Sequence, residues 1–168
     1  IIGLHSVRMD FIPTEVDEGA GYDAEMDVWE ALKNALGPNE EGIAYHRYPI
    51  VDNTGEKLDR EPDFVILHKD WGLILIECKG YKIHHIDKIE GSTWYLQGTS
   101  QNKAAPYSQV KDHGHLLHSR FTSEGELMRE GGMHAVSMNV FVALPNITQE
   151  EWDGRGFDGP AEPRKILK

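Results

Sequence analysis

The residues with chemistry to offer sit at Glu77-Cys78-Lys79, where a run of Leu and Ile ends in two opposite charges. The run before them, Trp71-Gly72-Leu73-Ile74-Leu75-Ile76, is too short for a core helix. Its β-branched content, with Gly72 and Gly80 at the two ends, predicts a strand buried on both faces. Side chains alternate across a strand, so Glu77 and Lys79 project to one side and Cys78 to the other. A carboxylate and an ammonium at the end of a buried strand cost desolvation energy. A salt bridge or a functional site must offset that cost.

A second apolar run, Phe64-Val65-Ile66-Leu67, lies just upstream, and His68-Lys69-Asp70 between the two reads as a tight polar turn. The pair is expected to form an antiparallel hairpin. In that pairing the start of the first strand lies beside the end of the second, which brings Asp63 next to Glu77 and Lys79. Two carboxylates and a lysine then converge: hard oxygen ligands for a divalent cation, with a positive charge beside them. The bland reading of the same three residues is a buried salt-bridge network, which is a weak stabiliser.

Other elements must carry this hairpin. Asp23 is placed to cap a helix running to Leu36, with Gly37-Pro38 as its stop. Its apolar stripe is Val28, Trp29, Leu32 and Leu36, and Glu25 falls on that stripe. An acid there reads, from spacing alone, as a glutamate serving the helix dipole. Short strands are expected near 7–12, over Gly42–Val51 with edge-like Pro49, over Tyr81–Ile86, and in a hairpin over Lys88–Tyr95. Asp52–Gly55 reads as a turn and Gln97–Ala105 as a polar loop. Pro106 opens a second helix to about Phe121, with a stripe of Val110, Gly114, Leu117 and Phe121 and with Gln109 beside it. Ser123–Gly132 reads as a loop, Ala135–Leu144 as a strong strand, and Thr148 with Glu151 as a capping box for a short helix. Helix, strands, helix, strand in that order predicts a mixed sheet with helices on its faces.

Pro62-Asp63 followed by Glu77-Cys78-Lys79 resembles the PD-(D/E)xK nuclease signature. With the flanking Glu61–Leu67, Gly72–Gly80 and Pro106-Tyr107-Ser108-Gln109-Val110, the chain from about Phe11 to Trp152 resembles the nuclease-related domain (NERD) family. The resemblance implies an α/β fold of restriction-endonuclease type, a mixed β-sheet flanked by α-helices. It divides the chain into a lead-in (1–19), a nuclease-related domain (20–152) and a linker or tail (153–168) toward a further domain, such as a helicase. It implies hydrolysis of DNA phosphodiesters with Mg²⁺ or Mn²⁺. Asp63, Glu77, the Cys78 carbonyl and Glu25 would serve the metal, Lys79 the attacking water, and Gln109 the metal-bound water or substrate. In the related recombination nucleases a tyrosine follows that glutamine by four residues; here the place belongs to His113. The alternative on the same fold is a non-catalytic module that binds nucleic acid or a partner protein.

The composition sets limits on both readings. A length of 168 residues suits one domain with a sizeable core, and 39% hydrophobic with 27% charged residues is ordinary for a soluble globular protein. No apolar run approaches the roughly 20 residues needed to span a bilayer. No signal peptide is visible at Ile1–His5, and the missing initial Met points to a trimmed fragment. One cysteine excludes an internal disulfide and fits a reducing compartment, the cytoplasm. A net charge of −11 argues against a broad basic surface for nucleic acid.

Nine histidines raise the question of zinc. His84 and His85, adjacent on an expected strand, would face opposite ways, and His115 and His118 could pair on a helix. Without a cysteine partner or a His-Glu-x-x-His motif, zinc is not the expected metal. His113, His115 and His118 are expected to face solvent or phosphate. Trp94 and Tyr95 are expected in the core rather than stacked on a base. No Gly-rich phosphate loop is present, so ATP hydrolysis is not expected of this chain. A homodimer would account for double-strand cutting, though no motif demands one.

Overall fold

The computed structural model describes residues 8–13, 21–37, 39–50, 61–123, 136–159 and 166–168, the side chains of 121–123 excepted. At its centre is the expected hairpin, β3 (Phe64–His68) with β4 (Gly72–Cys78). The pairing is antiparallel, with Phe64 opposite Ile76 and His68 opposite Gly72. Asp63 is thus one step beyond the last pair, level with Glu77. Trp71 does not join the apolar run. It is 49% exposed and stacks on His68 across the turn, ring centroids 4.0 Å apart.

The hairpin is the middle of a six-stranded mixed sheet. In spatial order it runs β1 (Met9–Ile12), β2 (Gly42–His46), β3, β4, β8 (Met138–Ala143) and β9 (Ile166–Leu167). β4 pairs parallel with β8 on its outer side, Glu77 opposite Val142 and Cys78 opposite Ala143. Packed layers on both sides of the sheet explain why the Leu73–Ile76 stretch is apolar on both faces. Phe64, Ile66, Ile76 and Cys78 pack toward helix α1 (Tyr22–Ala35). Val65, Leu73 and Leu75 pack on the opposite face, with Val110 and Leu117 of helix α2 (Pro106–Ser123). Gly114 lets α2 come close: a Cβ there would sit 3.2 Å from Val140 Cγ1 and 3.3 Å from Met138 Cε. A small antiparallel sheet, β5 (Ile86–Glu90), β6 (Thr93–Leu96) and β7 (Lys103–Ala104), completes this layer with helix α3 (Gln149–Gly154). The α/β class and the mixed sheet with flanking helices are those expected, and among the described residues no helix is long and apolar enough to cross a membrane.

Local departures have local causes. α1 starts from Gly21 in a left-handed conformation (φ 98°), so Asp23 lies inside the first turn instead of capping it. β2 stops at His46 because Arg47 turns left-handed (φ 52°). The stretch expected as a strand over Tyr81–Ile86 forms a 3₁₀ turn at Ile83–His85. There Lys82 N–H donates to His85 Nδ1, and His85 N–H donates to Lys82 O. Such side-chain-to-backbone bonds compete with extended structure. His84 and His85 therefore meet edge to face, centroids 4.4 Å apart, instead of pointing apart. β7 forms inside the expected polar loop at 97–105. The capping box of Thr148 and Glu151 is present, with Glu151 N–H donating to Thr148 Oγ1 at 3.2 Å. The turn at 52–55, the segment at 58–60 and the loop at 124–132 lie outside the described residues.

The C-terminal stretch, expected to be a linker, adds to the core. Trp152 and Phe157 are buried with rings 5.1 Å apart, and Ile166 pairs with Val142. Isolated buried side chains in a glycine-broken stretch have no periodicity to reveal them. Phe157→Ala is expected to lower stability by about 3–5 kcal/mol, as for other buried aromatics. Urea denaturation measures it, and a loss below about 1 kcal/mol would show that this stretch is peripheral.

Candidate active site

The end of β4 is fixed from two sides. Cys78 N–H donates to Asp63 Oδ2 at 2.7 Å across the hairpin, and Lys79 N–H donates to Ala143 O at 3.0 Å. Glu77 and Lys79 come to one side, as expected, and Lys79 Nζ donates to Glu77 Oε1 at 2.6 Å. Glu77 is only 2% exposed. Its other oxygen, Oε2, is buried and accepts no hydrogen bond from any described residue. Asp63, Glu77 and Lys79 are thus brought together, with one carboxylate oxygen left open.

The electrostatics follow from crowding. Burial and then the Glu77 carboxylate push Asp63 up to about 7, against the pull of the Cys78 N–H. Burial also raises Glu77; the charge and hydrogen bond of Lys79 oppose this, and Glu25 adds to it. Burial favours neutral Lys79, but Glu77 outweighs it and holds the ammonium above its ordinary value. Burial pushes the Cys78 thiol up as well, so the residue offers main-chain groups to this site and not a thiolate.

Glu25 enters from α1, whose first turn lies against the end of β4: a Cβ on Gly80 would be 3.2 Å from Ala24 Cβ. The carboxylate is buried, and two residues that spacing did not single out hold it. Arg47 donates Nε to Oε2 and Nη2 to Oε1, each at 2.9 Å, and His46 Nε2 is 2.8 Å from Oε2. Burial would raise Glu25, but these partners overcome it and keep the carboxyl below its ordinary value. Arg47 also donates its backbone N–H to Asp63 O at 2.7 Å, so one left-handed residue braces two of the acids. His46 packs against both Trp29 and Phe64, at 5.9 and 5.4 Å between ring centroids. Its place within the strand expected over Gly42–Val51 was visible in the sequence, but its position at the strand's end and its partner, twenty-one residues earlier, were not.

On α2, Gln109 is exposed in the first turn, its N–H bonded to Ala105 O. His113, expected to face solvent or phosphate, is instead 2% exposed and brings Nδ1 to 3.9 Å from Glu77 Oε2. It falls on the buried stripe of Val110, Gly114 and Leu117, a signal the sequence held. His115 is exposed and His118 half-buried.

The described residues form no ready cage of three or more His, Cys, Asp or Glu side chains around an ion. Mg²⁺ seldom uses one: it keeps several waters and takes one or two carboxylates. Asp63 and Glu77 meet that need. They are hard oxygen donors with mutual repulsion to relieve and one buried oxygen unbonded.

Without metal, Asp63 holds its proton more tightly in the folded chain (about 7) than at its ordinary value of 3.8. That contribution stabilises the fold below about pH 4 and is lost as pH rises through about 7. Asp63→Asn keeps an acceptor for the Cys78 N–H and removes the titration. In urea denaturation with EDTA, the variant should gain stability relative to the wild type between about pH 4 and pH 8. A difference flat with pH would contradict this electrostatic picture.

The profile of the nuclease-related domain (NERD) matches residues 20–142, a span that holds α1, the β3–β4 hairpin, α2 and β8 up to Val142. Neither a curated relative nor a solved structure matches the chain. The match takes in most of the sequence and each charged or polar side chain of the site just described, and the chain belongs to the nuclease-related domain family.

Proposed function

We propose that this chain is a metal-dependent nuclease domain that hydrolyses phosphodiester bonds in DNA. The observation that carries the reading is the buried Oε2 of Glu77, which accepts no hydrogen bond from a described residue, on a carboxylate that is level with Asp63 across the hairpin and paired with Lys79 through its other oxygen. Asp63, Glu77 and the Cys78 carbonyl would hold Mg²⁺ or Mn²⁺, and Glu25 would act through water, since Arg47 spans both its oxygens. The ion, when bound, supplies charge neutralisation at the phosphate and a more acidic water.

The chain's own groups do the rest. Lys79 stays protonated beside Glu77, so it is better suited to orient the attacking water and to stabilise developing negative charge than to remove a proton. The Cys78 N–H holds Asp63 in register with Glu77. Gln109, exposed at the start of α2, is available to substrate. The domain would form the N-terminal part of a larger DNA-processing protein, such as a helicase-nuclease.

One observation favours the second reading, a non-catalytic binding module. Glu25 with Arg47, and Glu77 with Lys79, already form internal ion pairs. Cleavage of labelled single- and double-stranded DNA with Mg²⁺, Mn²⁺ or EDTA separates the two. The nuclease reading predicts metal-dependent cutting that falls at least ~10²-fold in Lys79→Ala. Cutting that is equal in both proteins, or absent from the full-length protein with every metal, contradicts it.

A further inference from the structure

His113 is a buried polar side chain to which the proposed mechanism gives no part. It is 2% exposed, as is Glu77, and its Nδ1 lies 3.9 Å from Glu77 Oε2. That oxygen accepts no hydrogen bond from a described residue, because Lys79 is spent on Oε1. A separation of 3.9 Å is too long for a hydrogen bond between the two.

Contacts elsewhere in the fold set this separation. Glu77 belongs to β4, which is held between β3 and β8. His113 belongs to α2, whose Val110 and Leu117 share a core with Leu73 and Leu75 of β4. Gly114, the next residue, lets the helix lie close on β8, since a Cβ there would sit 3.2 Å from Val140 Cγ1. Two packed elements thus bring an imidazole nitrogen and an open carboxylate oxygen face to face in the interior. Two donors on one small dication, each about 2.1 Å from it, lie up to about 4.2 Å apart. The pair falls inside that span. The donor types then bear on which ion suits them. Mg²⁺ takes oxygen ligands and keeps several waters, whereas imidazole nitrogen suits first-row transition ions.

We propose that His113 is a metal ligand through Nδ1, so that the site adds one nitrogen donor to the oxygens of Asp63 and Glu77 and prefers a first-row transition dication such as Mn²⁺ to Mg²⁺. This role rests on the metal site proposed above at Asp63 and Glu77. The competing arrangement is a direct His113–Glu77 ion pair with no metal on the nitrogen.

Pulsed electron paramagnetic resonance of Mn²⁺ bound to the protein tests this without DNA or turnover. A nitrogen on the ion modulates the electron spin echo, and histidine labelled with the heavy nitrogen isotope shifts the frequencies. The wild type should show a histidine nitrogen that responds to the label. His113→Asn, or His113→Gln should the first not fold, is expected to lose it, while His115→Asn, at an exposed position on the same helix, keeps it. In isothermal titration calorimetry the ratio of Mn²⁺ to Mg²⁺ affinity should fall at least ~10-fold in His113→Asn, whose amide offers oxygen in place of nitrogen. Mn²⁺ that is bound and weakened by Glu77→Gln but carries no histidine nitrogen overturns the proposal and leaves the nuclease reading standing. A nitrogen signal that survives in the folded His113 variant overturns it too, and a wild type that binds no Mn²⁺ overturns both. A histidine nitrogen lost with His113, in a protein that cuts no DNA with any metal, supports the ligand and sinks the nuclease reading instead.

Discussion

Two carboxylates, Asp63 and Glu77, are held side by side where little water reaches them, and the arrangement around them is best understood from that repulsion. Left alone, such a pair pushes protons onto itself, as the rise of Asp63 to about 7 records. The fold does not let them separate. Asp63 is anchored by the Cys78 N–H and by the Arg47 N–H on its carbonyl, and β4 is locked between β3 and β8. A buried like-charge pair that backbone hydrogen bonds keep in place is a poor device for stability. On the proposed reading it is a place prepared for positive charge.

The chain answers that demand incompletely. Lys79 serves one oxygen of Glu77, and Arg47 with His46 serves Glu25. Among the described residues Asp63 has only main-chain donors, and Glu77 Oε2 accepts no hydrogen bond. Lys79 thus serves one oxygen of Glu77 while His113 Nδ1 lies 3.9 Å from the other, and on the proposed reading a cation from outside would complete the balance between Asp63 and Glu77. Arg47 has a second consequence. By spanning Glu25 it keeps that carboxyl below its ordinary value, and in the proposed mechanism it would limit Glu25 to a part played through water, with Asp63 and Glu77 as the inner pair.

The hairpin and its site were legible because they rest on local rules. Strand alternation put Glu77 and Lys79 together, and antiparallel pairing with a short turn put Asp63 beside them. Gln109 and the start of α2 followed from Pro106 and the helical stripe. What was hidden depended on tertiary partners. Arg47 takes a left-handed backbone that no glycine announces, and the Glu25–His46 contact joins two elements whose packing no periodicity reports. The core role of Phe157 and the pairing of β9 were hidden in the same way, behind glycines and prolines that read as a tail. His113 is the exception, since the stripe of Val110, Gly114 and Leu117 already marked its side of the helix as buried.

If the open edge of Glu77 is the place for an external cation, that cation must bind before any DNA is present. The direct measurement is Mn²⁺ binding by isothermal titration calorimetry, for the wild type and for Glu77→Gln, with folding of both checked by circular dichroism. Saturable binding by the wild type, weakened at least ~10-fold in the variant, is the predicted result. Equal binding by the two folded proteins, or none by either, would contradict the account and leave Asp63, Glu77 and Lys79 as a buried ion network.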